Sequence, residues 1–190
     1  MRRVVVTGLG TVNALAHDVP GTFAALIEGR TGIGPLGFRD ADRLSVRIGA
    51  EVRGWDAGAH LPKANLPLYD KVTQYALVAG AEAMAMAGLP AGLGARGGVI
   101  LGTAAGGIQT WEDSYRAVFA EGKTRVSPLT VPRLMHNAAA SHLSIAWGLT
   151  GPVLSVASAC ASANHAMGLA FQQIRAGAAE IPGGRDVVVS

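Results

Sequence analysis

The chain holds one cysteine in 190 residues, Cys160, and its neighbours are those a sulfur nucleophile needs. Before it runs Val153-Leu154-Ser155-Val156-Ala157-Ser158-Ala159, and after it Ala161-Ser162-Ala163-Asn164-His165-Ala166-Met167-Gly168. An apolar, partly β-branched run gives way to a small-residue turn and then to a helix-compatible stretch through Ile174. The order is therefore strand, tight turn, helix, with the thiol at the turn. A sharp turn at a helix start exposes its side chain and aims free backbone N–H groups at it. The positive end of the helix dipole favours a thiolate, the nucleophilic form of cysteine. Most solitary cysteines are small buried hydrophobes. Here Ser158, Ala159, Ala161, Ser162 and Ala163 leave room beside the sulfur that a packed core would fill.

Other residues with chemical potential are weaker candidates. The histidines are His17, His60, His136, His142 and His165. His165 follows the cysteine by five positions on one helix, an offset that points its ring away from the thiol. His142 reads as a hydrogen-bonded core residue, and the other three as surface or loop residues. Val4-Val5-Val6-Thr7-Gly8-Leu9-Gly10 has the look of a dinucleotide-binding turn, but the third glycine of that fingerprint would fall at Asn13. No acidic residue closes the next strand either, so the motif reads as a plain turn.

The elements that must position Cys160 follow from hydrophobic period and punctuation. Val4–Thr7 is expected as a buried strand, and 21–28 as a helix with Pro20 in its first turn. Residues 45–52 alternate like an outer strand. Asp70 can cap a helix over 71–87, with Val72, Tyr75, Ala76, Ala79 and Ala83 on its packing face and Gly88 and Pro90 as its stop. Val99–Leu101 is a short central strand. Helices are expected over 111–121, 135–147 and from Cys160 or Ala161 to Arg175, the last buried on most sides. Strand-helix alternation of this kind favours an α/β fold with a parallel-containing sheet covered on both faces.

Composition narrows the class. Hydrophobic residues make up 49% and charged residues 15%, as in a globular chain with much buried surface. One cysteine excludes an internal disulfide framework and fits a reducing compartment. No apolar run reaches the roughly 18 residues of a spanning helix, and Met1-Arg2-Arg3 leads into a strand run rather than a signal peptide, so a cytoplasmic location is expected and no membrane partner. Sixteen basic residues face thirteen acidic ones, and aromatics are 5%, with no basic run interleaved with aromatics. That pattern argues against nucleic acid as the partner. Such a surface would suit an acidic protein partner, because opposite fields raise on-rates, but the charge alone does not point to one.

Ala159-Cys160-Ala161-Ser162, with Asn164-His165-Ala166-Met167-Gly168 behind it, resembles the nucleophile motif of the β-ketoacyl-acyl carrier protein synthases, closest to the elongating (type I and II) enzymes. These are condensing enzymes with the thiolase fold. Arg3-Val4-Val5-Val6-Thr7-Gly8-Leu9-Gly10 is similar to the family's opening strand, Gly29-Arg30-Thr31-Gly32-Ile33 to its first helix exit, and 101–107 to its glycine-rich pocket loop. Arg125-Val126-Ser127-Pro128, Val131-Pro132, Asn137-Ala138-Ala139, His142-Leu143-Ser144-Ile145 and Gly148-Leu149-Thr150-Gly151-Pro152 follow in the family's order. The resemblance covers nearly residues 2 to 177.

The resemblance implies a fold: an α/β, thiolase-like N-terminal half of the αβαβα layered arrangement, a mixed sheet covered by helices, spanning residues 1–190. It implies Cys160 as the residue that takes an acyl group from acyl carrier protein. No cofactor is implied beyond the phosphopantetheine arm on which the acyl group arrives, and the enzymes act as homodimers. Ala105 aligns with a residue that limits the acyl pocket, and Thr130 with a pocket residue lent across the dimer. Both are smaller than the apolar side chains often found there, which implies a wider or longer pocket. The family's second half supplies two catalytic histidines, a lysine and a gating phenylalanine, in a His-Gly-Thr-Gly-Thr and a Gly-His segment that do not occur here. At the other end Pro182 disfavours a central strand where the family has one, and Asp186–Ser190 is expected to be that strand after an insertion. A truncated product is expected rather than a divergent short protein. Two further readings stay open: a non-catalytic, chain-length-factor-like partner of an active synthase, and an acyltransferase pairing Cys160 with a different base.

Overall fold

The computed structural model describes residues 3–177, so the strand expected at Asp186–Ser190 lies outside the described residues. The core is a pair of parallel strands, β3 (Val99–Gly102) and β4 (Val153–Val156), with Val99 opposite Val153 and Gly102 opposite Val156. Successive residues of a strand point to opposite faces, and both faces of this pair are covered. Val99 and Leu101 face one side, where they pack with Leu77, Ala139, Ala140, Leu143 and Leu149. Ile100 faces the other, against Ala166 and Ala170, joined by Leu154 and Val156 of β4 or its end. The first cluster is built by α3 (Lys71–Ala87) and α6 (Ala138–Trp147), the second by α7 (Ser162–Ala176). A second strand pair, β1 (Ile33–Pro35) with β2 (Ile48–Ala50), is antiparallel and separate. It is shorter than the strand read at 45–52. Four further helices lie among the described residues: α1 (Val19–Ile27), α2 (Ala57–His60) and, between β3 and β4, α4 (Ile108–Tyr115) and α5 (Thr130–Leu134).

The helix ends follow the rules of capping. Asp18 accepts from the Gly21 N–H at the start of α1, where Pro20 sits in the first turn. Gly88, at φ 65°, ends α3, a left-handed conformation that costs glycine no clash. At the other end Asp70 caps α3 through the Val72 N–H at 3.2 Å. Its second oxygen leaves the helix altogether. It accepts from the Thr110 N–H at 2.7 Å and the Thr110 hydroxyl at 2.6 Å, in the first turn of α4. Asp70 is 3% exposed and Thr110 4%, so a buried carboxylate pins one helix start to another. Glu82, further along α3, makes a second such tie: its oxygens accept from Thr11 N–H at 3.0 Å and Val19 N–H at 2.8 Å.

Several sequence readings are corrected. Residues 4–7 form no strand. Val6 is 67% exposed, and the chain runs beside α3, with Gly8 and Gly10 against the carbonyls of Ala83 and Ala79. A strand needs a ladder, and among the described residues this run has none; an apolar run alone does not supply one. The packing face of α3 is Thr73, Leu77, Gly80, Ala83 and Met84, so only Ala83 of the expected set is buried. Gly80 belongs on that face because a Cβ there would meet Leu143 Cδ2 at 2.7 Å and Trp147 at 3.2 Å. The helix read at 135–147 begins at Ala138, since Met135 turns extended (ψ 144°) and ends α5. The helix read at 111–121 starts at Ile108 and widens over Arg116–Ala120. On it Trp111, Tyr115 and Phe119 form an exposed row, with ring centroids 6.2 and 5.4 Å apart.

The histidines divide. His17 stands edge-on to Trp55 at 5.3 Å and His60 stacks on it at 5.0 Å. His142 is half-buried in α6, edge-on to Tyr69 at 4.8 Å, and among the described residues its side chain makes this ring contact and no hydrogen bond. Burial alone pushes its basicity down from the ordinary 6.5.

Two outcomes follow. Asp70→Ala leaves three donors without an acceptor and is expected to cost about 3 kcal/mol in urea denaturation, with Asp70→Asn losing less. A midpoint unchanged in Asp70→Ala would show that the carboxylate does not join α3 to α4. For His142 the folded state resists the proton, so the unfolded state binds more protons just below the ordinary value of 6.5. Stability should therefore be level above that pH and fall as pH drops from it towards the lower folded value. Thermal midpoints across pH 7.5 to 5 should show this component flattened in His142→Asn.

Candidate active site

Parallel strands end on the same side, and in open α/β sheets the crevice beyond their carboxyl ends is where ligands bind. Here β3 runs into the glycine-rich segment 103–107 and β4 into the turn that carries Cys160. The two loops are tied together. Thr103 N–H donates to the Val156 carbonyl at 3.0 Å. Gly102 lies so close to the first turn of α7 that a Cβ would sit 2.5 Å from the Ser162 carbonyl and Ala163 nitrogen. Cys160 and Ala105 thus stand at the same end of the strand pair, the thiol exposed and Ala105 half-buried.

The cysteine turn is held by its own backbone and by two side chains of α7. Ala161 and Ser162 N–H groups donate to the carbonyls of Ser158 and Ala159 at 3.0 and 3.1 Å. The Ser162 hydroxyl, in a residue 4% exposed, donates to the Ala159 carbonyl at 2.7 Å and accepts from the Ser158 N–H at 2.8 Å. His165 Nδ1 lies 2.9 Å from Ser158 Oγ. Between these fixed points Ala159 takes φ 48°, the left-handed region that a side chain with Cβ enters at a cost. The thiol is presented by a strained residue on one side and by the start of α7 on the other. Among the described residues no side chain hydrogen-bonds the sulfur, so the structure offers no base in contact with Cys160.

The His165 contact was not legible from helical spacing. That rule relates positions within α7, whereas Ser158 precedes the helix. The hydroxyl and the ring are seven residues apart, and only the tight turn brings them together. Ser162 is the other residue missed. Its signal was present, a small hydroxyl in the first turn after a sharp bend, where serine competes for backbone groups.

Thr130 begins α5, with its hydroxyl 3.4 Å from Ser114 Oγ. It faces a cavity of about 240 Å³ between α4, α5 and the loop between them, lined also by Ser114, Arg125, Ser127 and Arg133. Arg133 Nε is buried there without a partner. Neither Cys160 nor Ala105 lines this cavity. The glycine-rich loop packs against the end of α5, since Gly107 N–H donates to the Leu134 carbonyl at 3.1 Å and Gly106, at φ 67°, packs on His136. Ser155 Oγ in β4 donates to the His136 carbonyl at 3.1 Å, so segment 134–136 lies between the end of α5 and the nucleophile strand.

The profile of the β-ketoacyl synthase N-terminal domain matches residues 1–189. Nodulation protein E of Rhizobium sp. (strain N33) is 39% identical over 189 residues, 97% of this chain and 47% of that protein. The 3-oxoacyl-(acyl-carrier-protein) synthase 2 of Vibrio cholerae is 34% identical over 181 residues, 94% of this chain and 44% of that protein. Among solved structures the ishigamide ketosynthase/chain length factor superposes with a TM-score of 0.83 at 27% identity, covering 94% of this chain and 45% of that one. The fold is thus the N-terminal half of the thiolase-like ketosynthase architecture. The chain spans less than half the length of these relatives.

The close approach at Gly102 generates a paired expectation. Gly102→Ala drives a Cβ into the backbone of α7 and should cost about 1–3 kcal/mol while slowing iodoacetamide labelling of Cys160. Gly168→Ala, also in α7 but with open space around it, should stabilise by about 0.5–1 kcal/mol and leave labelling unchanged. Equal behaviour of the two variants in denaturation and labelling would remove Gly102 as the contact that seats the turn.

Proposed function

The chain belongs to the β-ketoacyl synthase family, and from that premise we propose that Cys160 is the acyl-accepting nucleophile of a ketosynthase that acts in fatty acid or polyketide synthesis. The observation that carries this reading is the exposed thiol in a strained turn, at the carboxyl end of the parallel strand pair and at the start of α7. The sulfur attacks the thioester carbonyl of an acyl group borne by acyl carrier protein. A new C–S bond forms, the carrier's sulfur leaves, and the thiol proton ends on that leaving sulfur. The tetrahedral intermediate between these steps carries an oxyanion, which needs two hydrogen-bond donors. The Cys160 backbone N–H is one of the two. The name of the Vibrio relative supports acyl carrier protein as the donor's chemical class.

Condensation is the second half-reaction. Malonyl-carrier protein loses carbon dioxide, and the resulting carbanion attacks the acyl-enzyme to give a β-ketoacyl product and free Cys160. Two histidines stabilise the enolate oxygen in that step, and they come from the family's second half. Ala105 and Thr130 bound the acyl pocket in this reading, Thr130 from the partner copy of a homodimer. The exposed row Trp111, Tyr115 and Phe119 supports a covered face on the same helix that carries the Thr130 cavity wall. The chain-length-factor-like reading is less well supported, because such partners lack the cysteine that this chain keeps.

Intact-mass measurement after mixing with acyl-carrier protein tests the proposal. The chain should gain one acyl group, and Cys160→Ala should gain none. Residues 1–190 alone should show no malonyl decarboxylation or condensation. An acyl gain that persists in Cys160→Ala, or no gain in a folded sample, overturns Cys160 as the acyl acceptor of this chain.

A further inference from the structure

The turn that presents Cys160 is over-determined, and one of its restraints has no part in the chemistry above. Ser158 is held at three points: its N–H by Ser162 Oγ, its carbonyl by the Ala161 N–H, and its hydroxyl by His165 Nδ1 at 2.9 Å. Ala159 follows at once in a conformation that alanine avoids. Residues kept in such regions persist only when the surrounding structure forces them. The backbone bonds and Ser162 act from within the turn and the first turn of α7. His165 is different, because it reaches back from the next turn of the helix and anchors the one side chain that precedes Ala159.

We propose that His165 is a positioning residue: through its hydrogen bond to Ser158 it holds Ala159 left-handed and so keeps the Cys160 sulfur over the start of α7. This rests on Cys160 being the reactive group. Two features favour a positioning role over a simple packing one. The ring is exposed, so it contributes little by burial, and it belongs to a helix whose apolar contacts are made by Ala166, Ala170 and Ile174. The bond is also made by Nδ1, the nitrogen nearer the backbone. Either tautomer can serve, Ser158 donating to a bare Nδ1 or Nδ1–H donating to the hydroxyl. What matters is reach. Asparagine places a polar atom where Nδ1 stands, whereas glutamine places its amide further out.

Without the bond Ser158 gains freedom, Ala159 relaxes towards ordinary φ, and Cys160, the next residue, loses its fixed place before the start of α7. One hydrogen bond is worth about 0.5–1.5 kcal/mol, which corresponds to roughly a two- to twelvefold change in rate.

The test is the second-order rate of Cys160 alkylation by iodoacetamide across pH 6 to 9, on the 190-residue chain, with Cys160→Ala as blank and circular dichroism to confirm folding. His165→Ala should slow alkylation roughly three- to tenfold at neutral pH. His165→Asn should come within about twofold of the native chain, and His165→Gln should behave like His165→Ala. Ser158→Ala should slow the reaction by the same factor, and the double variant Ser158→Ala/His165→Ala should be no slower than either single one, because both remove the same interaction. Should His165→Ala not fold, Ser158→Ala and the Asn–Gln pair carry the same comparison. The proposal is overturned if His165→Ala matches the native rate, if Asn is as slow as Ala, or if the two losses add in the double variant. Alkylation needs no acyl donor. A chain that is alkylated as described but never acylated therefore overturns the acyl-acceptor role and leaves the positioning role standing.

Discussion

Two parallel strands stand side by side only if the chain leaves the first, crosses over and returns to the same end. In this protein that constraint organises everything else. Between Gly102 and Val153 the chain must travel back along the strand pair, and it does so through α4, α5 and α6, the last of which pays its apolar side to the sheet. Because both strands point the same way, the segments that leave them emerge together. The glycine-rich loop and the cysteine turn are neighbours for that reason, before any side chain is considered. The absence of a side chain at Gly102 then sets how near α7 comes, and so where the thiol sits relative to the neighbouring loop.

Around this frame the polar joints fall at helix starts. Asp70 and Glu82 are both carboxylates of α3 or its cap, and each accepts from backbone N–H groups at the beginning of another helix or segment. Such groups are the unsatisfied donors that every helix carries at its first turn, and a charge-bearing acceptor meets both their hydrogen-bonding need and the local dipole. One helix therefore gathers the beginnings of α1 and α4 without a large hydrophobic interface to either. At the periphery Arg116 joins Asp40 and Glu112 at 2.6 and 2.8 Å, and the guanidinium beside Asp40 holds that carboxyl below its usual range. This pair is solvent-facing and contributes little to stability.

Much of this was legible in the amino-acid order, and the reasons it was legible are local. Asp70 before an apolar-periodic run and Gly88 after it mark α3 to the residue, because caps are made by side chains adjacent in sequence. The strand-turn-helix around Cys160 was equally plain, since a β-branched run, a cluster of small residues and a helical stretch follow one another directly. What the order did not reveal depends on partners far along the chain. Val4–Thr7 has the composition of a strand, yet pairing is a property of two segments and not of one. The buried side of α3 turned on Gly80 meeting Leu143 and Trp147, more than sixty residues away, and a glycine carries no hydrophobic signal. Asp70 was recognised as a cap, but its second oxygen and the distant Thr110 were not. The bond between His165 and Ser158 spans a helix boundary, where the periodicity that relates residues within a helix no longer applies.

Ala159 places stability and selection in opposition at a single position. An alanine there raises the energy of the native state by roughly 1 kcal/mol, and glycine would remove that penalty. Glycine would also give the chain more ways to be something else, widening the unfolded ensemble and letting the turn sample both hands. A library screened only for thermal tolerance would be drawn to replacements at 159 that ease the backbone, and would collect variants whose turn no longer has one preferred shape. Heat resistance and a defined active-site geometry are separate objectives at this residue, and a screen must score both to keep the second.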